Sequence, residues 1–156
     1  MGIWIRRLII IVCAIALIPN IISFFSGLTN GLPERVKSEV ENGDAVLIDL
    51  DKKVNLENDE ILFKHLVLAP QETSLIFEVH TNENGWSFPD SALILTDRQG
   101  NIYRKTSGSA SGHTWGQYRI NHYEPLKTDV ETIVLDFEWF DRKFQTEFSV
   151  DQGDLE

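Results

Sequence analysis

The sequence predicts an all-β domain, an antiparallel β-sandwich, preceded by a single N-terminal transmembrane helix. Two observations lead to this prediction. Residues 8–25 contain no charged side chain. Residues 44–151 alternate between apolar and polar side chains with a period of two, which is typical of strands that bury one face. Turn-forming residues separate the alternating stretches at short intervals, as they do in a sandwich.

The N-terminal segment has the length and the flanking charge of a membrane anchor. At a rise of 1.5 Å per residue, residues 8–25 span roughly 27 Å, close to a hydrocarbon thickness of about 30 Å. Arg6 and Arg7 precede the segment. The positive-inside rule therefore makes residues 1–7 a cytoplasmic tip and places the domain outside the cytoplasm. Membrane lipid is then one expected partner, through this helix.

A cleaved signal peptide is the alternative reading of the same segment. Pro19 favours it, because proline can end the apolar helix. No cleavage site with small residues at the required spacing follows, so we favour an uncleaved anchor, although the sequence leaves cleavage open. In either case the main domain leaves the cytoplasm.

Residues 26–43 connect the anchor to the domain. Pro33 near the start and Gly43 beyond the end fit a short helix over residues 33–42. Only Val36 and Val40 are apolar in that stretch, so a flexible stalk is an equal alternative.

The predicted sandwich covers residues 44–151 and is followed by a tail at residues 152–156. The alternation places Phe77 and Leu135 on buried faces, and we expect them to be core residues on facing strands. The Ser- and Gly-rich residues 106–112 predict a mobile loop. Nine strands are predicted, near residues 45–50, 52–57, 60–68, 73–81, 91–97, 101–106, 115–123, 130–140 and 143–150.

Three local patterns carry a resemblance to a known family. They are Ala69-Pro70-Gln-Glu-Thr73 leading into a strand, Leu95-Thr-Asp97-Arg-Gln-Gly100-Asn101-Ile-Tyr103, and Tyr123-Glu-Pro125-Leu126. Together they resemble the small immunoglobulin-like domains of unknown function in Gram-positive, bacillus-type membrane proteins, often found beyond the anchor of anti-sigma-factor-like proteins. The resemblance covers about residues 50–150. It implies an immunoglobulin-like sandwich and no catalytic residues. Anti-sigma-factor-like proteins hold their sigma factor in a cytoplasmic domain, and residues 1–7 are too short for one.

Charge narrows the choice of partners. The chain carries a net charge of −10, and all 24 acidic residues lie beyond residue 33. Such a domain repels nucleic acid and anionic headgroups, so we expect no nucleic-acid partner. Solubility alone also explains the charge. The single cysteine, Cys13, lies in the predicted anchor, so the stability of the domain has to come from its core.

Residue types that usually carry chemistry form no recognisable motif. No two of the four histidines are spaced as ligands on one element, so we predict no metal centre and no cofactor. The serines of residues 107–111 lack the strand–turn–helix of an activated nucleophile, and we predict no catalytic residue and no enzymatic activity. Clustered acidic side chains leave calcium open, although no ordered ligand series with its glycine is present. They are Asp49, Asp51, Glu57, Asp59 and Glu60.

Aromatic side chains in loops are the better candidates for binding. Trp86 and Phe88 follow a turn, and Trp115 follows His113 beside the Ser- and Gly-rich segment. Exposed aromatics anchor protein partners or stack on sugars. The alternative is that these rings close the ends of the core. If the strand order is immunoglobulin-like, we expect both loops at the same end of the sandwich.

The function that the sequence favours is a non-enzymatic, membrane-anchored extracytoplasmic domain that binds a protein, such as a membrane or cell-wall protein, or another cell-envelope component. A hydrolase of envelope polymers is one alternative. A sensor that acts through a second membrane protein is the other.

Overall fold

The computed structural model describes residues 32–81, 85 and 87–150. The predicted cytoplasmic tip, the anchor, most of the first half of the connector and the tail lie outside the described residues. Within the described ranges, no helix is both long enough and apolar enough to cross a membrane.

Two antiparallel sheets form a sandwich-like all-β fold, which confirms the predicted class. One sheet has five strands in the order β1-β2-β3-β7-β6, and the other has four in the order β5-β4-β8-β9. A short 3-10 helix, Asp90–Ala92, precedes β4. The strands are β1 Val46–Leu56, β2 Asp59–Leu68, β3 Thr73–Thr81, β4 Leu93–Asp97, β5 Ile102–Tyr103, β6 Lys105–His113, β7 Gly116–Tyr123, β8 Thr132–Trp139 and β9 Arg142–Ser149.

The core lies between the two sheets and follows the alternation of the sequence. Phe77 of β3 and Leu135 of β8 are both fully buried, in opposite sheets, so their prediction as core residues is confirmed. Aromatic rings fill much of the space between the sheets. Phe63 packs at 5.7 Å from Phe77 and at 5.5 Å from Phe148, ring centre to ring centre. The contact of Phe63 with Phe148 joins the two sheets across the core, and that with Phe77 links neighbouring strands of one sheet.

A helix, α1, spans Glu34–Glu41 and confirms the helical reading of the connector. It ends at Gly43, whose φ of 79° suits a residue without a side chain. The N–H of Gly43 donates to the carbonyl of Val40, and that of Asp44 to the carbonyl of Glu39. This pair of bonds is the Schellman motif, which satisfies carbonyls at a helix end.

Two segments differ from the predicted strands. The strands predicted at 45–50 and 52–57 form one strand, β1, whose register shifts between Asp49 and Lys52. Asp51 takes a φ of 39° inside this bulge, which breaks the period of two without ending the pairing. Residues 106–112, predicted as a mobile loop, belong to β6 and pair with β7. Backbone hydrogen bonds to β7 hold these residues in a strand, although serine, glycine and alanine have little intrinsic preference for one.

The turn between β4 and β5 is held by one carboxylate. Asp97 accepts hydrogen bonds from the backbone N–H of Gln99 and of Asn101, both at 2.9 Å. It also accepts from Asn101 Nδ2 at 2.7 Å and from the Tyr103 hydroxyl at 3.0 Å. Burial acts to raise the pKa of Asp97, but these donors outweigh it and hold the pKa below its ordinary value.

The strand directions divide the connections between two ends of the sandwich. The helix end carries α1 and the turns at residues 69–72, 98–101 and 124–131. The far end carries the turns at residues 57–58, 114–115 and 140–141 and the connection from β3 to β4. Helix α1 and the far end therefore lie at opposite ends of the described strands.

Candidate functional site

The far end brings two of the four predicted binding residues together. His113 and Trp115 stack with their rings 4.7 Å apart and nearly parallel, at 4°. Phe88 lies in the connection from β3 to β4, at the same end as Trp115, as the loop placement predicted. Trp86 lies outside the described residues.

A close approach of two paired strands, β3 and β7, fixes the position of Trp115. The next residue, Gly116, has a φ of 144°, and a Cβ built on it would lie 1.9 Å from the carbonyl oxygen of Val79. Only glycine fits this approach of β7 to β3. The N–H of Thr81 also donates to the carbonyl of Trp115 at 3.1 Å. The β6–β7 turn is therefore held against the end of β3.

A third ring, His80 of β3, completes what we call the histidine–tryptophan cluster: His80, His113 and Trp115. The His80 ring lies 4.6 Å from the Trp115 ring, and its Nε2 lies 3.0 Å from Glu78 Oε2. Sequence reasoning missed His80, because it lies 35 positions before Trp115 and only the pairing of His80 with Gly116 brings them together.

The carboxylate behind this cluster is buried on the outer face of the five-stranded sheet. Glu78 is 3% exposed and forms an ion pair with Lys64. Its neighbour across the strands is Tyr118. Burial, followed by the negative charge of Glu78, raises the pKa of the Tyr118 hydroxyl to about 12. Tyr118 is therefore a neutral hydroxyl at physiological pH.

Phe88 is a core residue, which corrects its prediction as an exposed binding residue. Its side chain is 1% exposed. The ring stacks on Phe137 at 4.8 Å and meets Phe77 edge to face at 5.8 Å. The Arg119 guanidinium lies 5.9 Å from the centre of the same ring. The connection from β3 to β4 thus folds its phenylalanine inward, which is the core-closing alternative left open by the sequence.

The most exposed aromatic side chain in the described part of the chain lies elsewhere at the far end. Phe140, in the β8–β9 turn, is 86% exposed and takes a φ of 56°. Trp139 is 40% exposed and meets Phe140 edge to face, with the rings 5.1 Å apart. We call Trp139 and Phe140 the aromatic tip. The alternation of β8 predicts Trp139 on the buried face, but the strand extends beyond the core at this point.

Ion pairs hold the aromatic tip to the neighbouring hairpin. Arg142, just after the turn, lies 3.0 Å from Glu57 and 3.1 Å from Asp59. The Asp59 side chain is fully buried. This bridge joins the β8–β9 turn to the β1–β2 turn, so the aromatic tip projects from an anchored base.

The acidic residues considered for calcium are dispersed among basic partners. Besides the contacts of Glu57 and Asp59 with Arg142, Glu60 pairs with Lys53, and Asp49 lies 2.7 Å from His65 Nδ1. Among residues 32–81, 85 and 87–150, no group of three His, Cys, Asp or Glu side chains has the geometry to hold a metal ion.

One serine–histidine contact resembles part of a catalytic relay but lacks its geometry. Ser74 Oγ lies 2.8 Å from His122 Nδ1, and Glu72 Oε1 lies 3.6 Å from that same nitrogen. A relay needs the serine and the carboxylate on different ring nitrogens. Here they meet one nitrogen, so the contact ties β3 to β7 and does not prepare a nucleophile.

Comparison with known proteins adds the family but no activity. None of the curated proteins matches the chain. A solved structure described as the conserved domain protein from Bacillus anthracis is similar, with a TM-score of 0.47 and 13% identity. The similarity covers 69% of this chain and 48% of that one, so the chain spans about half the length of that protein. The sequence model of a family of unknown function, DUF5643, matches residues 46–156. Since this match takes in well over half of the chain and begins at the first residue of β1, the protein belongs to that family of unknown function.

Proposed function

We propose that this protein is a non-enzymatic, single-pass membrane protein whose extracytoplasmic domain binds a protein or another cell-envelope component through its far end. The N-terminus is cytoplasmic and residues 8–25 are the anchor. The domain is immunoglobulin-like, as in the Gram-positive, bacillus-type membrane proteins that its turn motifs resemble. The uncharged length of residues 8–25 and the preceding Arg6 and Arg7 support this topology.

The aromatic tip is the observation on which the proposal depends. Tryptophan is enriched among the residues that dominate binding energy, and large rings give apolar contact area at low cost in side-chain entropy. Phe140 adds the most exposed ring of the described chain beside Trp139. Because Arg142 holds the base of the turn, little further ordering is needed when a partner covers the tip.

Charge around the aromatic tip indicates the kind of partner. Glu138 and Asp141 flank it in sequence and are exposed, and Glu57 of the next hairpin lies beside its base. Arg142 neutralises Glu57, and the exposed Lys143 lies opposite Glu138 in the β8–β9 pair, so the rim of the apolar anchor carries charges of both signs and favours a partner with polar groups of both signs. The net charge of −10 on the whole chain disfavours nucleic acid and anionic lipid headgroups.

The histidine–tryptophan cluster is a second contact surface of the far end in this proposal. Thr114, between His113 and Trp115, is exposed, whereas the indole is half-buried against two imidazole rings. The cluster therefore presents the edges of its rings and one polar turn to a partner. Phe140 of the aromatic tip presents the larger apolar surface.

Binding by matched variants tests the proposal. The intact chain, its Trp139→Ala/Phe140→Ala variant and an Ile102→Ala control are incubated with purified cell-wall polymer and with solubilised envelope proteins of a Gram-positive bacillus. Ile102 is 64% exposed but lies in the short edge strand β5. We expect the tip variant to lose at least about tenfold in affinity, and the control to bind like the unchanged chain. Equal binding by all three proteins would contradict the role of the tip.

Topology and enzymatic activity are tested separately. Protease added to spheroplasts should remove the domain and leave the N-terminal tip, whereas a mature N-terminus near residues 24–28 would refute the anchor. Turnover of a wall polymer or an ester, abolished by one serine or carboxylate substitution, would favour the hydrolase instead.

A further inference from the structure

Strand β6 is an unpaired edge of the five-stranded sheet. It is nine residues long and, among the described residues, pairs only with β7. Residues 106–112 are exposed along their whole length, so neither face of the strand is covered. Such an edge presents a row of free backbone N–H and C=O groups that can pair with another strand.

The other three edges of the described sandwich are protected in recognisable ways. Strand β1 contains the bulge between Asp49 and Lys52, and β5 is two residues long. Strand β9 carries charged side chains on its exposed face, and Lys52 of β1 donates to the carbonyl of Glu147 in β9. Bulges, short length and charge all discourage edge pairing.

Strand β6 has none of these protections after its first two residues. Its one register shift lies between Lys105 and Ser107, and no charged side chain or proline follows as far as Gly112. In a chain with a net charge of −10, two copies repel each other over most of their surface. The uncharged β6 is the edge at which this repulsion is weakest.

We propose that β6 pairs with β6 of a second copy of this chain, in antiparallel register about a two-fold axis at Ala110. Ser109 then faces Ser111 of the second copy, and Gly108 faces Gly112. Every directly opposed pair within residues 108–112 consists of small, uncharged side chains. The sheets can therefore approach to the ordinary strand spacing of about 4.8 Å without a clash. A two-fold contact of this kind is self-complementary and closed.

The paired edges would extend the five-stranded sheet through the dimer. Main-chain hydrogen bonds supply the affinity, as they do when a peptide adds a strand to a sheet edge. Small side chains add little buried apolar area, so the dimer is weak and sensitive to single charges. A second copy fits this edge better than a partner with apolar anchors, since residues 106–112 of β6 carry only small side chains that give such anchors little to pack against.

Cysteine crosslinking tests the register directly. The intact chain is purified in detergent with Cys13→Ser, so that the natural thiol does not contribute. Adding Ala110→Cys places two thiols directly opposite at the axis, and we expect an intermolecular disulfide under mild oxidation. Ser107→Cys is the matched control, because it is equally exposed but lies roughly 20 Å from its counterpart at about 3.3 Å per residue. Equal crosslinking of both variants, or of neither, would overturn the proposed register.

Charges introduced at the two serines beside the axis test the contact without a covalent bond. Ser109→Lys/Ser111→Lys places lysines opposite each other, and we expect the dimer dissociation constant to rise at least about tenfold in sedimentation equilibrium. Mixing this variant with Ser109→Glu/Ser111→Glu should restore a mixed dimer. Gly108 is left unchanged, because a Cβ there would lie 3.0 Å from Asn121 Oδ1.

Unfolding is measured on every variant, so that loss of association is separated from loss of the fold. A chain that is monomeric at millimolar concentration would overturn the proposal. So would a dimer that survives both charge variants, since another surface would then hold it. Neither result depends on whether the aromatic tip binds a partner, so this inference and the proposed function fail separately.

Discussion

Replacing Phe88 with alanine should unfold the sandwich at a much lower temperature. The change removes a ring that stacks on Phe137 at 4.8 Å and meets Phe77 at 5.8 Å. Truncating a buried Phe to Ala costs about 3–5 kcal/mol in free energy of unfolding. Each lost aromatic contact contributes roughly 0.5–1.5 kcal/mol beyond area burial, so we expect the upper half of that range.

Thermal and urea unfolding of the intact chain, followed by circular dichroism, measure this loss. For a domain of this size, about 4 kcal/mol lowers the melting temperature by roughly 10–25 °C. At a urea dependence of about 1.5 kcal/mol per molar, the midpoint falls by roughly 2–3 M. Phe140→Ala is the control, because its ring is 86% exposed and an exposed change usually stays within about 0.5 kcal/mol. A Phe88→Ala protein as stable as the control would refute the placement of Phe88 in the core.

Three further predictions, one of them with a control variant, follow from the structure. Leu135→Ala should lower the free energy of unfolding, measured in urea, by about 2–5 kcal/mol, since Leu135 is fully buried. Arg142→Ala should lower the free energy of unfolding by about 3–5 kcal/mol, because it leaves the buried Asp59 carboxylate without its ion-pair partner. The control Arg98→Ala, which breaks an exposed ion pair, should lower it by less than about 1 kcal/mol. The lowered pKa of Asp97 adds stability above its unfolded value of 3.8, and this is lost as pH falls through the folded value. Asp97→Asn should therefore flatten the acid side of the stability profile, and an unchanged profile would contradict this.

Most of the fold follows from features that act over a few residues. The period of two placed Phe77 and Leu135 in the core, because strands bury alternate side chains whatever their partners are. Gly43 marked the end of α1, because a left-handed residue closes a helix locally. The Asp97 turn was readable for the same reason, since its acceptor and its donors lie within six residues.

The structure of the segments that the sequence predicted wrongly is decided by long-range contacts or by exposure of both strand faces to water. Strand β6 has both faces in water, so no alternation is required and its serines and glycines look like a loop. Phe88 lies in a connection whose path over the core is set by Phe77 and Phe137. His80 joins Trp115 only through the pairing of β3 with β7. The positions of these residues along the chain do not reveal that they are in contact.

At the aromatic tip the residue types fit the fold poorly, and this misfit supports the proposed role of the tip in binding. A φ of 56° at Phe140 suits glycine or asparagine and is unfavourable for a bulky side chain. The exposed ring returns no packing energy to the core, since it is 86% accessible to water. Folding alone therefore favours another residue at this turn. A partner that covers Phe140 and Trp139, as proposed, would gain about 25 cal/mol for each Å² of apolar surface buried, and this gain would explain a phenylalanine that the folded domain does not need.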